Sequence, residues 1–270
     1  MDQLRVAVEE HCDLSQPVCA PENVVDLFVL PEIFGPVNRT IVLMLLAALI
    51  VMVVLWVALR RPRLVPTKFQ AVVEGVVNFV REDVAIGIIG PEGVRYFPYL
   101  LSIFLFILVG NLFEITPFIN FPITSRMAIP AFLAILTYLI FVVVGFAENG
   151  IGYLLGIVWP KTVPIALRPL VGLIEFVSYF FIRPFSLAVR LFANMVAGHV
   201  MLSLLLVTGY FFVTGVFTGE TSVIKGGVGL LWFAMGLGIF LFEILVTVIQ
   251  AYIFTLLSAF YIQTSVHPEH

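Results

Sequence analysis

Residues 183–199 read RPFSLAVRLFANMVAGH, and Arg190 stands among Leu187, Ala188, Val189, Leu191, Phe192 and Ala193. Such flanks suit the middle of a membrane helix, where an arginine costs about 3 kcal/mol on insertion scales. Something must offset that cost. Of 270 residues, 61 % are hydrophobic, 11 % are charged and 26 are Phe, with a formal net charge of −3. No aqueous core of this size buries so much apolar surface, so the composition defines an all-α polytopic membrane protein within a lipid bilayer. No nucleic-acid partner is expected. Stretches of the roughly 20 residues needed to span hydrocarbon occur at 41–59, 96–113, 127–147, 200–219 and, broken only by Glu243, 226–266. They predict about five crossings.

The first 35 residues hold Asp2, Glu9, Glu10, Asp13, Glu22, Asp26 and Glu32 against Arg5 alone. They lack the basic-then-apolar plan of a signal peptide, so 1–35 reads as an acidic tail and 36–270 as a single membrane domain. Arg60, Arg61, Arg63 and Lys68 follow the first span, and Lys161 and Arg168 follow the third. Short loops rich in Lys and Arg stay cytoplasmic. The tail is therefore expected outside and the C-terminus inside. Cys12 and Cys19 both lie in that outer tail, where the compartment permits a disulfide and equally permits two free thiols.

Between the first two spans, Phe69, Val72, Val73, Val76, Val77 and Val80 recur at helical spacing opposite Lys68, Gln70, Glu74, Asn78 and Arg81. This pattern predicts an amphipathic interfacial helix over 64–84, opened by a Thr67/Gln70 capping box. From Leu170 to Gly209 the one strong breaker is Pro184. As one helix this stretch is about 60 Å long, against about 30 Å of hydrocarbon. It must break or run obliquely.

On that helix Arg168, Glu175, Arg183 and Arg190 are spaced by seven, eight and seven residues and fall within an arc of roughly 80°. Ser186 shares the arc, Asn194 lies at its edge, and His199 points to the opposite side. Glu243 and Gln250, seven residues apart, share one face of the last helix. If the two helices form a hairpin through TGETSVIKGG, His199 is the natural partner of Glu243. Bland alternatives are a His–Glu pair that only glues helices, and an Arg190 neutralised by Glu175 or Glu243. Intramembrane ionisable groups nevertheless mark function by default. With no HExxH, Cys cluster or glycine-rich phosphate loop, neither metal nor cofactor is expected. The glycines of GVGLLWFAMGLG read as close helix packing.

SLAVRLFANMVAGH followed by FEILVTVIQAYIFTLLSAFYI closely resembles subunit a of the bacterial F-type ATP synthases, and GNLFEITP, with Asn111 and Glu114, is similar too. The likeness is strongest from Glu175 onward. It implies that 165–213 and 226–266 form a strongly tilted hairpin against a rotating ring of c subunits. The b-subunit peripheral stalk and the rest of the F1Fo assembly are the other implied partners, in a bacterial cell membrane. By position Arg190 is the implied stator arginine, with Asn194 and Gln250 beside it. His199 and Glu243 are implied to line one of two proton half-channels, with Glu175, Ser186 and Glu114 as secondary polar residues. Relatives often carry Glu at the first of the paired positions and His at the second, so this chain has the exchanged arrangement. Such a subunit has no catalytic site of its own. The competing classes are a secondary transporter binding an anion at Arg190, and a scaffold whose polar stripe only docks partners.

Overall fold

A computed structural model describes residues 32–34, 37–60, 66–116, 119, 121–159, 163–219 and 221–267. The Cys12–Cys19 question, most of the acidic tail, and the loop cations Arg61, Arg63 and Lys161 lie outside the described residues. A two-stranded antiparallel ribbon, β1 (Glu32–Phe34) with β2 (Val37–Asn38), leads into α1 (Arg39–Leu59). The described elements after it are all helices. At the start of α1, Arg39 Nη2 donates to Ile119 O at 2.9 Å, tying the first span to a later loop.

The amphipathic segment begins as α2 (Lys68–Asn78). Thr67 caps it by accepting from Gln70 N at 3.3 Å. The reciprocal half of the expected box is missing, because Gln70 Nε2 donates to Glu74 Oε1 at 2.7 Å instead. Helical winding then runs beyond residue 84, as a wider π-type segment over Phe79–Ile89. Gly90, with φ +95°, stops it, and Pro91 opens a 3₁₀ turn (Pro91–Arg95) that releases α3 (Phe97–Ile115). A left-handed φ favours glycine there because it has no Cβ to clash.

After the 3₁₀ turn Ile123–Ser125 comes α4 (Ala128–Asn149), ended at Gly150 and followed by α5 (Ile151–Val158), a short helix that the span pattern did not foresee. Then α6 (Arg168–Val177), a π-type turn (Ser178–Ile182) and α7 (Arg183–Thr218) form one run of 51 residues. Pro184 does not break this run. A proline inside a helix lacks an N–H and crowds the carbonyl four residues back, and the wider turn just upstream is where the helix absorbs both. The last helix, α8 (Val223–Val266), starts with Ser222 accepting from Lys225 N at 3.4 Å. The hairpin helices thus extend past the expected limits, to Thr218 and back to Val223. Among the described residues, five helices are long and apolar enough to cross a membrane.

Helices α7 and α8 pack along small residues, as the glycine pattern predicts. A Cβ on Gly209 would come within 2.8 Å of Phe233 N and 3.0 Å of Gly229 O, so the two backbones approach closely only because these positions are glycine. Leu100 and Ile107 of α3, Phe141 of α4, Leu191 of α7, and Phe254 and Ile262 of α8 form the buried centre. Near the C-terminal end of α8, three hydroxyls close a triangle. Tyr153 and Tyr179 are 2.8 Å apart, and Ser265 Oγ lies 3.0 and 2.8 Å from them.

Candidate functional site: a buried carboxylate–imidazole cluster and a separate arginine

Helix α7 presents different residues to different neighbours. His199, buried, turns toward α3, and its Nδ1 lies 3.4 Å from Glu114 Oε1. Gly198, one residue earlier and therefore about 100° around the helix, faces α8. The carboxylate of Glu243 occupies the space that a Cβ on Gly198 would fill. From there Glu243 also lies within electrostatic range of Glu114. The sequence pairs His199 with Glu243. The structure gives Nδ1 to Glu114 and makes Glu243 the third member, because adjacent positions on a helix cannot both point at one neighbour.

Two carboxylates and one imidazole share one buried space, so each lies in the field of the others. Around them stand polar atoms with no hydrogen-bond partner among the described residues: both oxygens of Glu114, Glu243 Oε1, Thr247 Oγ1 and Asn111 Nδ2. Asn111, almost one turn before Glu114 on α3, accepts at Oδ1 from Thr124 Oγ1 at 2.6 Å. Polar groups therefore continue from the cluster into the 3₁₀ turn between α3 and α4. Thr124 gives no sign of this in the sequence, where it is one threonine in a loop. Among the described residues, no His, Cys, Asp or Glu side chains gather in a group of three or more that could hold a metal ion.

On another side of α7, the exposed Asn194 donates from Nδ2 to Gln250 Oε1 of α8 at 2.8 Å. Gln250 is buried, and its Nε2 has no partner among the described residues. Arg190 is half-buried one turn before Asn194. Among the described residues it joins no ion pair. Among the described ion pairs, neither Glu175 nor Glu243 is paired with it, which is the contact the bland reading required. Ser186, half-buried, lies one turn before Arg190 on α7.

The other two arginines of the expected stripe are engaged elsewhere. Arg168 Nε donates to Val163 O at 2.8 Å. Arg183 stacks over Tyr179 at 3.9 Å and Tyr261 at 5.1 Å, with Nη1 donating to Thr264 Oγ1 at 3.4 Å. The π-type turn between Glu175 and Arg183 shifts the angular phase that a uniform helix would keep, so the four charges do not act as one row. Arg190 is what remains available.

An intramembrane bundle that buries a carboxylate–imidazole cluster on one side of a helix, and leaves an unneutralised arginine on another, belongs to the class of proteins that move protons or charged groups across membranes. Comparison with known sequences makes this specific. Residues 41–263 match the family described as ATP synthase A chain. The ATP synthase subunit a of Frankia alni is 39 % identical over 236 residues, covering 86 % of this chain and 79 % of that one. Those of a Nocardioides species (38 %, covering 88 % and 87 %) and of Dinoroseobacter shibae (34 %, covering 91 % and 94 %) are similar. The chain belongs to the ATP synthase A chain family and is a multi-pass membrane protein.

Proposed function

We propose that this chain is the proton-translocating stator subunit of the membrane sector of an F1Fo ATP synthase. Its partners are a ring of c subunits and the b-subunit peripheral stalk, and the acidic tail lies outside with the C-terminus in the cytoplasm. The observation that carries the reading is the half-buried, unneutralised guanidinium of Arg190 on the longest helical run. A charge kept there without an ion-pair partner among the described residues is available to another chain. The run of 51 residues is about 77 Å long at 1.5 Å per residue. That length supports a strongly inclined hairpin lying along a ring rather than an upright crossing.

The cluster of Glu114, His199 and Glu243 exchanges protons with solvent on one side, and its unpaired polar atoms support a hydrated path, since buried polar groups need partners. A proton passes from this cluster to a carboxylate on a ring subunit, neutralises it and lets it enter lipid. When the ring brings the carboxylate to Arg190, a guanidinium about 4 Å away favours the ionised form by roughly 4 kcal/mol at an effective dielectric near 20. The proton leaves through the second half-channel. Because 100 mV supplies about 2.3 kcal/mol per proton, the driving force is comparable with this contact, and the ion pair breaks at each step. Asn194 and Gln250, hydrogen-bonded across the hairpin beside Arg190, hold the surface on which this happens.

Isolation through a tag on this chain tests the proposal. The c ring and b stalk should copurify, and inverted vesicles should acidify with ATP only when the chain is present. Solute transport by the chain alone in liposomes would instead mark a secondary transporter.

A further inference from the structure

Buried hydroxyls in the spanning helices commonly satisfy themselves. Thr137 Oγ1 donates to Leu133 O at 2.9 Å, Thr255 Oγ1 to Ala251 O at 2.8 Å and Ser258 Oγ to Phe254 O at 2.8 Å, each reaching the carbonyl one turn back in its own helix. Thr247 of α8 is as deeply buried, yet its Oγ1 makes no such bond and has no partner among the described residues. Its polar neighbours on the same face share this state. Glu243, one turn before, has Oε1 unpartnered, and Gln250, one turn after, has Nε2 unpartnered, although both residues are buried. Positions i, i+4 and i+7 of a helix line one stripe. Across the hairpin, the Glu243 carboxylate lies against Gly198 and Gln250 Oε1 accepts from Asn194 Nδ2 at 2.8 Å. Gly198, Asn194 and Arg190 follow one another at single-turn spacing on α7. The stripe on α8 therefore runs beside the line on α7 that leads from the buried cluster to Arg190, and Thr247 sits at its midpoint.

We propose that Thr247 is the hydroxyl link through which protons pass from the Glu114–His199–Glu243 cluster to Gln250 and Asn194, with a bridging water on each side of it. The proposal rests on the proton-translocating reading above and names the residue that carries the proton out of the cluster. Along α8 the steps from Glu243 to Thr247 and from Thr247 to Gln250 are about 6 and 4.5 Å. Each is near the length of two hydrogen bonds of about 2.8 Å laid end to end, the reach of one bridging water, and buried polar atoms without protein partners are where such waters are held. The three groups differ in what they can do. The Glu243 carboxylate takes up and releases a proton. The Thr247 oxygen accepts a proton from the water before it while its own proton leaves to the water after it, so one proton crosses, only O–H bonds form and break, and the hydroxyl is restored. An amide nitrogen donates and does not accept, so Gln250 Nε2 holds the last water by its oxygen and leaves that water's protons free to move on. Asn194, exposed on α7, occupies Gln250 Oε1 and keeps the donor end of that amide on the buried side. The line stops one turn beyond, at Arg190, because a permanently charged guanidinium takes no proton.

The test uses inverted vesicles carrying the intact complex, with assembly checked by membrane-bound ATPase content, and follows ATP-driven acidification in light and heavy water. Thr247→Val has nearly the same shape without the hydroxyl. It should slow acidification about tenfold, short of the roughly 100-fold worth of a positioned proton-transfer group because water remains on both sides. It should also raise the solvent isotope effect, since proton transfer then limits the rate. Thr247→Ser keeps the hydroxyl and should restore most of the rate together with the wild-type isotope effect. Thr247→Ala is held to the same outcome as Thr247→Val and covers the case in which valine blocks assembly. Arg190→Ala runs alongside. Normal pumping by Arg190→Ala would remove the proton-translocating reading and this link with it, whereas an inactive Arg190→Ala beside a Thr247→Val that pumps at the wild-type rate would overturn the link alone. Equal losses in Thr247→Ser and Thr247→Val, with an unchanged isotope effect, would mark a packing role and overturn it too.

Discussion

His199 Nδ1 lies 3.4 Å from Glu114 Oε1, with both side chains buried, so the imidazole on α7 is partnered by a carboxylate from α3. The proposed relay therefore has three members. Glu114→Gln keeps the shape and takes one proton-carrying group out of the cluster. ATP-driven acidification of inverted vesicles should fall severalfold, about as far as with His199→Ala. The double variant should be little worse than the weaker single one, because groups acting as a unit do not lose activity additively. Additive losses would separate the two residues functionally.

Gly198 is the floor on which the Glu243 carboxylate rests. Gly198→Ala adds one methyl where that carboxylate lies, and the flexible end of Glu243 moves aside at small steric cost. Assembly should stay normal while proton flow drops, and Gly198→Val should be worse. Unchanged pumping in an assembled Gly198→Val complex would remove Glu243 from the path.

Exchanging the pair, His199→Glu with Glu243→His, tests the cluster as a whole. His199→Glu alone sets a second carboxylate against Glu114 and leaves no imidazole, so it should be the more damaging single change. The exchange returns an imidazole to the same buried space and should recover part of the flow, measured across several pH values. No recovery at any pH would show that the exact order of the groups, rather than their sum, is required.

At the other end of α8, Ser265 is one vertex of the hydroxyl triangle. Ser265→Ala should destabilise by about 2 kcal/mol, since it takes one partner from both tyrosine hydroxyls. Tyr179→Phe likewise takes one partner from Tyr153 and one from Ser265 and should cost about 2 kcal/mol as well. Thermal inactivation of the purified complex should show similar losses for the two variants, and full stability of either would contradict the geometry.

The sequence shows the spans, the hairpin and the register of Arg190, Asn194, His199, Glu243 and Gln250 because each is a matter of spacing along one or two helices. It does not show which carboxylate reaches His199, because Glu114 arrives from a distant span and only tertiary packing sets that distance. GNLFEITP carries the one available clue, a carboxylate and an amide in an otherwise apolar run. The Tyr153–Tyr179–Ser265 triangle is invisible for a related reason, since tyrosines near the end of a span read as ordinary interfacial residues. The π-type turn at Ser178–Ile182 leaves no compositional trace beyond Pro184 downstream, yet it decides which arginines of the expected stripe remain available.

The central claim is that Arg190, which joins no ion pair among the described residues, acts on a carboxylate of another chain. The most direct measurement is ATP-driven proton pumping by inverted vesicles carrying Arg190→Ala or Arg190→Lys, with assembly checked by membrane-bound ATPase content. Pumping should be abolished in both while assembly is retained, because a compact, strongly hydrated ammonium does not replace the planar, permanently charged fork. Normal pumping by either assembled variant would contradict the account.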